Sequence, residues 1–191
     1  VYTVVEGQTD RNAAASNFIS IVLSDAAGNT NAAFTTLTES GGAITIDANT
    51  PSITSATISA GTYKVGQDIT MTIDAGESGL TSNAITVNGV AVSGFTDNSD
   101  DTYTVTYTVA EGNTDRASGA SNFISVSLTD GEQANSAFTT LTESGGAVVI
   151  DANSPAATTS ATISGGTAKV GTVITVTIAA SETGLTCTSC T

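Results

Sequence analysis

The sequence predicts an all-β protein made of tandem sandwich repeats of about 105 residues. Three observations lead there: a long internal repeat, period-2 alternation of apolar and polar residues, and the absence of any 3.6-residue hydrophobic period. Tyr2-Thr3-Val4 returns as Tyr107-Thr108-Val109, and Ser16-Asn17-Phe18-Ile19-Ser20 as Ser121-Asn122-Phe123-Ile124-Ser125. The run from Phe34 to Ala43 recurs unchanged from Phe138 to Ala147, and Ser55–Ser59 matches Ser160–Ser164. The spacing slips by one residue across a Gly/Asn-rich loop, where insertions are tolerated. Solenoid coils and propeller blades repeat every 20–50 residues or so; this period suits a whole small domain.

Between Pro51 and Asp151 the alternation predicts about seven strands. The first is 53–58, and the second, 69–73, turns Ile69, Met71 and Ile73 to one face. Asn88-Gly89 separates 85–87 from 90–95 and carries the signature of a type I′ hairpin. Tyr103, Val105, Tyr107 and Val109 alternate with threonines over 102–109, and Ile124, Val126 and Leu128 form an apolar face over 123–128. The last strand, 137–150, is expected to bulge or turn at Ser144-Gly145-Gly146. Seven short strands in about 100 residues fit an immunoglobulin-like sandwich. Pro51 and Pro155 close the linkers 47–51 and 151–155, ending the preceding strands and stiffening the joints.

The expected organisation is therefore one complete repeat, 51–155, flanked by two halves. Residues 1–50 carry only the last three strands of the pattern, and 156–191 only the first two and the approach to the third. Neither half can bury both faces alone, but joined head to tail between copies they rebuild most of a second sandwich. The chain opens in mid-pattern at Val1-Tyr2-Thr3-Val4-Val5, as a piece of something longer would. Three origins stay open: a window on a tandem array, a filament subunit completing its neighbour by strand exchange, or a fragment with ragged ends.

Composition narrows the function. Of 191 residues, 18 are acidic and 4 basic, a net charge of −14, which argues against nucleic acid and anionic membrane surfaces as partners. With 39 % hydrophobic and 12 % charged residues the chain has the balance of a folded protein. The absence of histidine excludes imidazole acid–base chemistry, His-ligated zinc and Ser-His-Asp triads. No apolar run is long enough for insertion as a membrane-spanning helix. No pair of carboxylates is marked as catalytic, so an enzyme is not expected.

Val22-Leu23-Ser24-Asp25-Ala26-Ala27-Gly28-Asn29, running to Ile46-Asp47-Ala48-Asn49-Thr50-Pro51, resembles the bacterial immunoglobulin-like tandem repeats of large surface adhesins and extracellular filament proteins. Tyr63-Lys64-Val65-Gly66-Gln67-Asp68-Ile69-Thr70 and Asp101–Tyr107 share that look, whereas 130–135 departs from the 25–29 loop. The resemblance implies a structural module at a prokaryotic cell surface, with copies of itself as head-to-tail partner. The alternative is a carbohydrate- or surface-binding sandwich of a secreted protein.

The resemblance also implies calcium between domains. Calcium takes 6–8 oxygen ligands, and the strand order predicts two acidic junctions. One would gather Glu6, Asp10, Asp47 and Asn49 with Glu77, Asp130 and Glu132; the other Glu111, Asp115, Asp151 and Asn153 with Glu182, completed by Asp25 of a neighbouring copy. The competing reading makes these acids solvated loop residues that keep the surface soluble. Asp97, Asp100 and Asp101 read as turn formers. Arg11 and Arg116 are expected to pair locally with Asp10 and Asp115 or with a strand end, at the surface. Cys187 and Cys190 form a lone Cys-x-x-Cys, read as a local disulfide, a small buried hydrophobe, or a staple between subunits.

Overall fold

The computed structural model describes residues 1–12, 18–156 and 158–189. Among these there is no helix; the regular structure is ten strands in sheets of five, three and two. The five-stranded sheet has the order β5-β6-β2-β1-β8, formed by Gly94–Asp97, Thr102–Thr108, Asp68–Asp74, Ser55–Lys64 and Thr142–Asp151. The three-stranded sheet is β4-β3-β7, from Val90–Ala91, Thr81–Val87 and Ile124–Thr129. β9 (Ser160–Ile163) and β10 (Val176–Ala179) pair with each other alone.

The alternation places the core. Ala56 and Ile58 of β1, Ile69, Met71 and Ile73 of β2 and Tyr103, Val105 and Tyr107 of β6 are buried from one sheet; Ile85, Val87, Ile124, Val126 and Leu128 are buried from the other, in the same cluster. The threonines between them face outward, as the pleat requires. Tyr103 is fully buried, and its hydroxyl is satisfied at both ends: it accepts from the Leu80 amide and donates to the Glu77 carbonyl, each at 2.9 Å.

Two sequence expectations are met in detail. Asn88 and Gly89 have φ of 55° and 75°, the two positive values a type I′ turn needs, and Val87 faces Val90 across it. The β1–β8 register slips between Ser59/Ser144 and Gly61/Val148, so the extra residues on β8 bulge at Gly145 and Gly146. The last strand starts at Thr142 rather than 137, with Phe138 only in an isolated bridge to Val126, and an earlier strand divides in two. Residues 90–95 are not continuous: the chain leaves β4 at Val92-Ser93 and joins the other sheet as β5, where Phe95 stacks on Tyr103 at 5.3 Å.

The flanks carry little regular structure, yet they copy the centre. The β9–β10 register, Ile163↔Val176 and Ala161↔Ile178, repeats Ile58↔Met71 and Ala56↔Ile73. In 1–50 the bridges Arg11↔Ile46, Ile21↔Phe34 and Ser24↔Thr30 repeat Arg116↔Ile150, Val126↔Phe138 and Thr129↔Ala134. The difference is burial. Every large exposed hydrophobic residue among those described lies in 1–44 or 163–185. Replacing a core side chain by Ala costs about 2–5 kcal/mol, whereas exposed sites shift stability by about 0.5 kcal/mol or less. Met71→Ala is therefore expected to lower the unfolding free energy of the isolated chain by about 2–5 kcal/mol in urea denaturation. Val176→Ala, at the counterpart position, should change it by less than about 0.5 kcal/mol.

Candidate functional site

The acidic residues sit where chain segments enter and leave the central unit, and each arrangement occurs twice. Asp10 Oδ1 accepts from the Ala48 amide at 2.9 Å and Asn49 Nδ2 at 2.8 Å; Asp115 Oδ1 accepts from the Ala152 amide at 2.8 Å and Asn153 Nδ2 at 2.7 Å. Glu6 takes the Thr50 amide and hydroxyl at 3.0 and 2.7 Å, and Glu111 takes the Ser154 amide through both oxygens, at 3.0 and 3.2 Å. Asp47 and Asp151 each accept from the amide of the Asn two residues on. A carboxylate spaced about 40 residues upstream thus clamps each outgoing linker just before its proline.

The first junction also meets the 130–133 turn. Asp130 Oδ1 shapes that turn by accepting from the Glu132 and Gln133 amides, both at 2.8 Å. This presents Gln133, whose Nε2 donates to the Asp47 carbonyl at 3.3 Å while its Oε1 lies 3.1 Å from the Thr50 hydroxyl, whose proton goes to the nearer Glu6 carboxylate. Glu6, Asp47, Ala48, Glu132 and Gln133 line an open cleft of about 400 Å³ there. Glu77 is close enough to feel Asp130, Asp47, Asp101 and Asp10; desolvation first, then these charges, raise its pKa. The structure therefore brings most of the first predicted set to one junction. In the second set Glu111, Asp115, Asp151 and Asn153 converge on the outgoing linker, while Glu182 lines a separate cleft with Leu185 and Cys187. Asp25 closes its own turn, accepting from the Ala27 and Asn29 amides and Asn29 Nδ2, and these bonds lower its pKa.

Among the described residues no group of three or more His, Cys, Asp or Glu side chains is arranged to hold a metal ion. The carboxylate oxygens at the linkers are occupied by N–H and O–H donors, which is the chemistry of a clamp. Asp97, Asp100 and Asp101 form turns, with Asp97 accepting from the Ser99 and Gly79 amides and Asp100 from the Thr102 amide and hydroxyl. Cys187 is disulfide-bonded; Cys190 lies outside the described residues.

Arg116 is the main correction. It is buried and does not pair with Asp115 at the surface. Its guanidinium lies 3.8 Å from the Phe123 ring centroid, donates to the Val148 and Ala120 carbonyls at 2.7 and 3.1 Å, and bridges Glu143 Oε1 at 2.8 Å. Glu143 in turn accepts from the Val148 amide at 2.9 Å, and that bond together with Arg116 lowers its pKa. Sequence reasoning also passed over Asn31 and Asn135. Each side-chain oxygen accepts from the amide of Leu23 or Leu128, and each side-chain nitrogen donates to carbonyls beside it, fastening the same hairpin in both copies. Recurrence of an Asn one residue out of step with the main repeat was the available signal. Against family models, curated proteins and solved structures, the chain finds no match.

Two outcomes follow. Breaking a buried ion pair costs about 3–5 kcal/mol, a surface pair about 0–1 kcal/mol. Arg116→Ala is expected to fall in the former range by urea denaturation. The second concerns pH. Asp10 is held below its ordinary value by the Ala48 amide and then Asn49, so its contribution is present above the unfolded pKa and is lost as pH falls through the folded one. Glu77 has the opposite sign, because the folded state holds its proton more tightly and stability falls as pH rises past the ordinary glutamate value. Glu77→Gln should therefore raise the melting temperature at pH 7 and leave it unchanged at pH 3, while Asp10→Asn should lower it at pH 7 and by progressively less as pH falls below the ordinary aspartate value.

Proposed function

We propose that the chain is a structural module of an extracellular filament or adhesin stalk, built from immunoglobulin-like repeats joined head to tail. In this reading 1–50 and 156–191 are the two halves of a second sandwich, completed by strand complementation between copies or within a continuous array. One observation carries the reading: the flanks expose the counterparts of the central core. Tyr2 is 64 % exposed where Tyr107 is 1 %, Leu23 69 % where Leu128 is 0 %, and Val176 53 % where Met71 is 0 %. So many large apolar side chains left exposed at the counterparts of core positions point to an interaction surface.

The repeated linker clamps support a stalk. Each outgoing linker is held by the same carboxylates, which limits bending at every joint. Extracellular placement draws on the family resemblance and on the disulfide at Cys187, since thiols are kept reduced in the cytosol. Calcium at the acidic junctions remains part of this proposal only as a further stiffener. A carbohydrate-binding reading would need an exposed aromatic platform, but in the central unit Tyr103 and Tyr107 are buried and Phe95 packs against the core.

Light scattering and electron microscopy of the full chain test the proposal. Concentration-dependent linear assemblies are expected, and Val176→Asp should abolish them while leaving the melting of the central unit unchanged. A chain that stays monomeric up to millimolar concentration overturns completion by a second copy.

A further inference from the structure

The central unit contains a template for the missing seam. β1 runs parallel to β8, with Thr57↔Thr142, Ile58↔Glu143 and Ser59↔Ser144, then after the bulge Gly61↔Val148, Thr62↔Val149, Tyr63↔Ile150 and Lys64↔Asp151. β2 runs antiparallel to β6, with Asp68↔Thr108 and Ile69↔Tyr107. Each flank already reproduces the pairings it can make alone, in the register of the central unit. What the flanks lack are these two seams, whose partners lie at opposite ends of the chain.

Resting on the module reading above, we propose that the occupant of the exposed face of 1–50 is residues 160–176 of a second copy of this chain, in a register fixed by the repeat. Ile163 lies beside Glu39 and Ser164 beside Ser40 in a parallel pair. After a bulge at Gly41-Gly42, Gly166 meets Ile44, Thr167 meets Thr45, Ala168 meets Ile46 and Lys169 meets Asp47. Ile174 pairs antiparallel with Tyr2 of that copy, and Val173 with Thr3.

Several independent features agree with this register. Gly41 and Gly42 have φ of 96° and 132°, close to the 85° and 134° of Gly145 and Gly146, so the two glycines already have the conformation of the β8 bulge. In a chain of net charge −14, two copies repel. The seam nevertheless sets Lys169, one of four basic residues in the whole chain, opposite Asp47. The face it covers holds Tyr2, Val4 and Ile44, whose counterparts Tyr107, Val109 and Val148 are no more than 1 % exposed. The arriving strands contribute Ile163, Ile174 and Val176, counterparts of Ile58, Ile69 and Met71, which are equally buried. Both sides of the seam thus carry exposed apolar residues matched position for position to a seam that exists.

Carbodiimide cross-linking tests the register, because Lys64 and Lys169 are the only lysines. Equal amounts of ¹⁴N- and ¹⁵N-labelled full chain are mixed under dissociating conditions, returned to assembly conditions, cross-linked, digested and analysed by mass spectrometry. Lys64–Asp151 should appear within one isotope label in every sample and serves as the internal control. Lys169–Asp47 should appear with mixed labels, and Ile163→Asp should reduce its yield at least tenfold while sparing the control. Mixed-label links from Lys169 to other acids, in material that still assembles, would overturn the register and leave the module reading standing. Lys169–Asp47 links confined to one label would overturn the second copy as occupant. Absence of assembly would overturn both.

Discussion

The parallel pairing of β1 with β8 is the constraint on which the rest of the molecule depends. It joins segments about 85 residues apart and closes the five-stranded sheet, so that β1 is flanked on both sides and Ile58 and Val148 can be buried together. A strand at a sheet edge offers unpaired N–H and C=O groups and half a core. Once β1 and β8 meet, the β2–β6 ladder has a neighbour to pack on and the three-stranded sheet has a full face to cover. The flanks show the same sequence without that closure. Hairpins and turns persist in them because these need only near neighbours. The apolar faces stay open because covering them needs a strand the flank does not contain.

Arg116 belongs to the closure as well. It ties the segment before β7 to β8 on either side of the bulge, through the Val148 carbonyl and Glu143, and its plane lies over Phe123. Its Nε has no partner. A guanidinium satisfied on one edge and covered by an aromatic ring can tolerate this burial better than an ammonium could, because its charge is delocalised. The bulge at Gly145-Gly146 is what lets Glu143 and Val148 approach the same guanidinium from one strand. Hence Ser-Gly-Gly does more than interrupt a strand: it makes room for a charge in the wall of the core.

Much of this was legible in the sequence, for physical reasons that can be named. Period-2 alternation identified Ile69, Met71, Ile73, Tyr103, Val105 and Tyr107 as one face because the pleat allows no other assignment. Asn88-Gly89 announced its turn because few residues accept two positive φ values in succession. The repeat showed directly that both flanks carry copies of segments of the central unit. What escaped was non-local. Val92-Ser93 carries no marker that the chain must change sheets there; the reason is Phe95 reaching Tyr103. Arg116 read as a surface partner of Asp115 or of a strand end; it does meet β8, at Glu143 and Val148, but from a buried position. The acids were found as clusters, but their work as linker clamps rests on contacts 37 to 44 residues apart that spacing alone does not declare.

The clamps also explain why so acidic a protein concentrates like charges at its joints. A carboxylate accepts several hydrogen bonds without donating any, which suits a linker whose amides point inward and whose proline offers none. Asp10 and Asp115 each satisfy an Ala amide and an Asn side chain, and Glu6 and Glu111 satisfy the residue before Pro51 or Pro155. The cost appears as repulsion, and Glu77, raised by Asp130, Asp47 and its neighbours, carries it. The carboxylate clamp on the outgoing linker recurs in both copies, with Ser154 in place of Thr50, and at the first junction Gln133 adds contacts to Asp47 and Thr50. In the proposed filament, a clamp repeated on each outgoing linker would limit the bending of successive units.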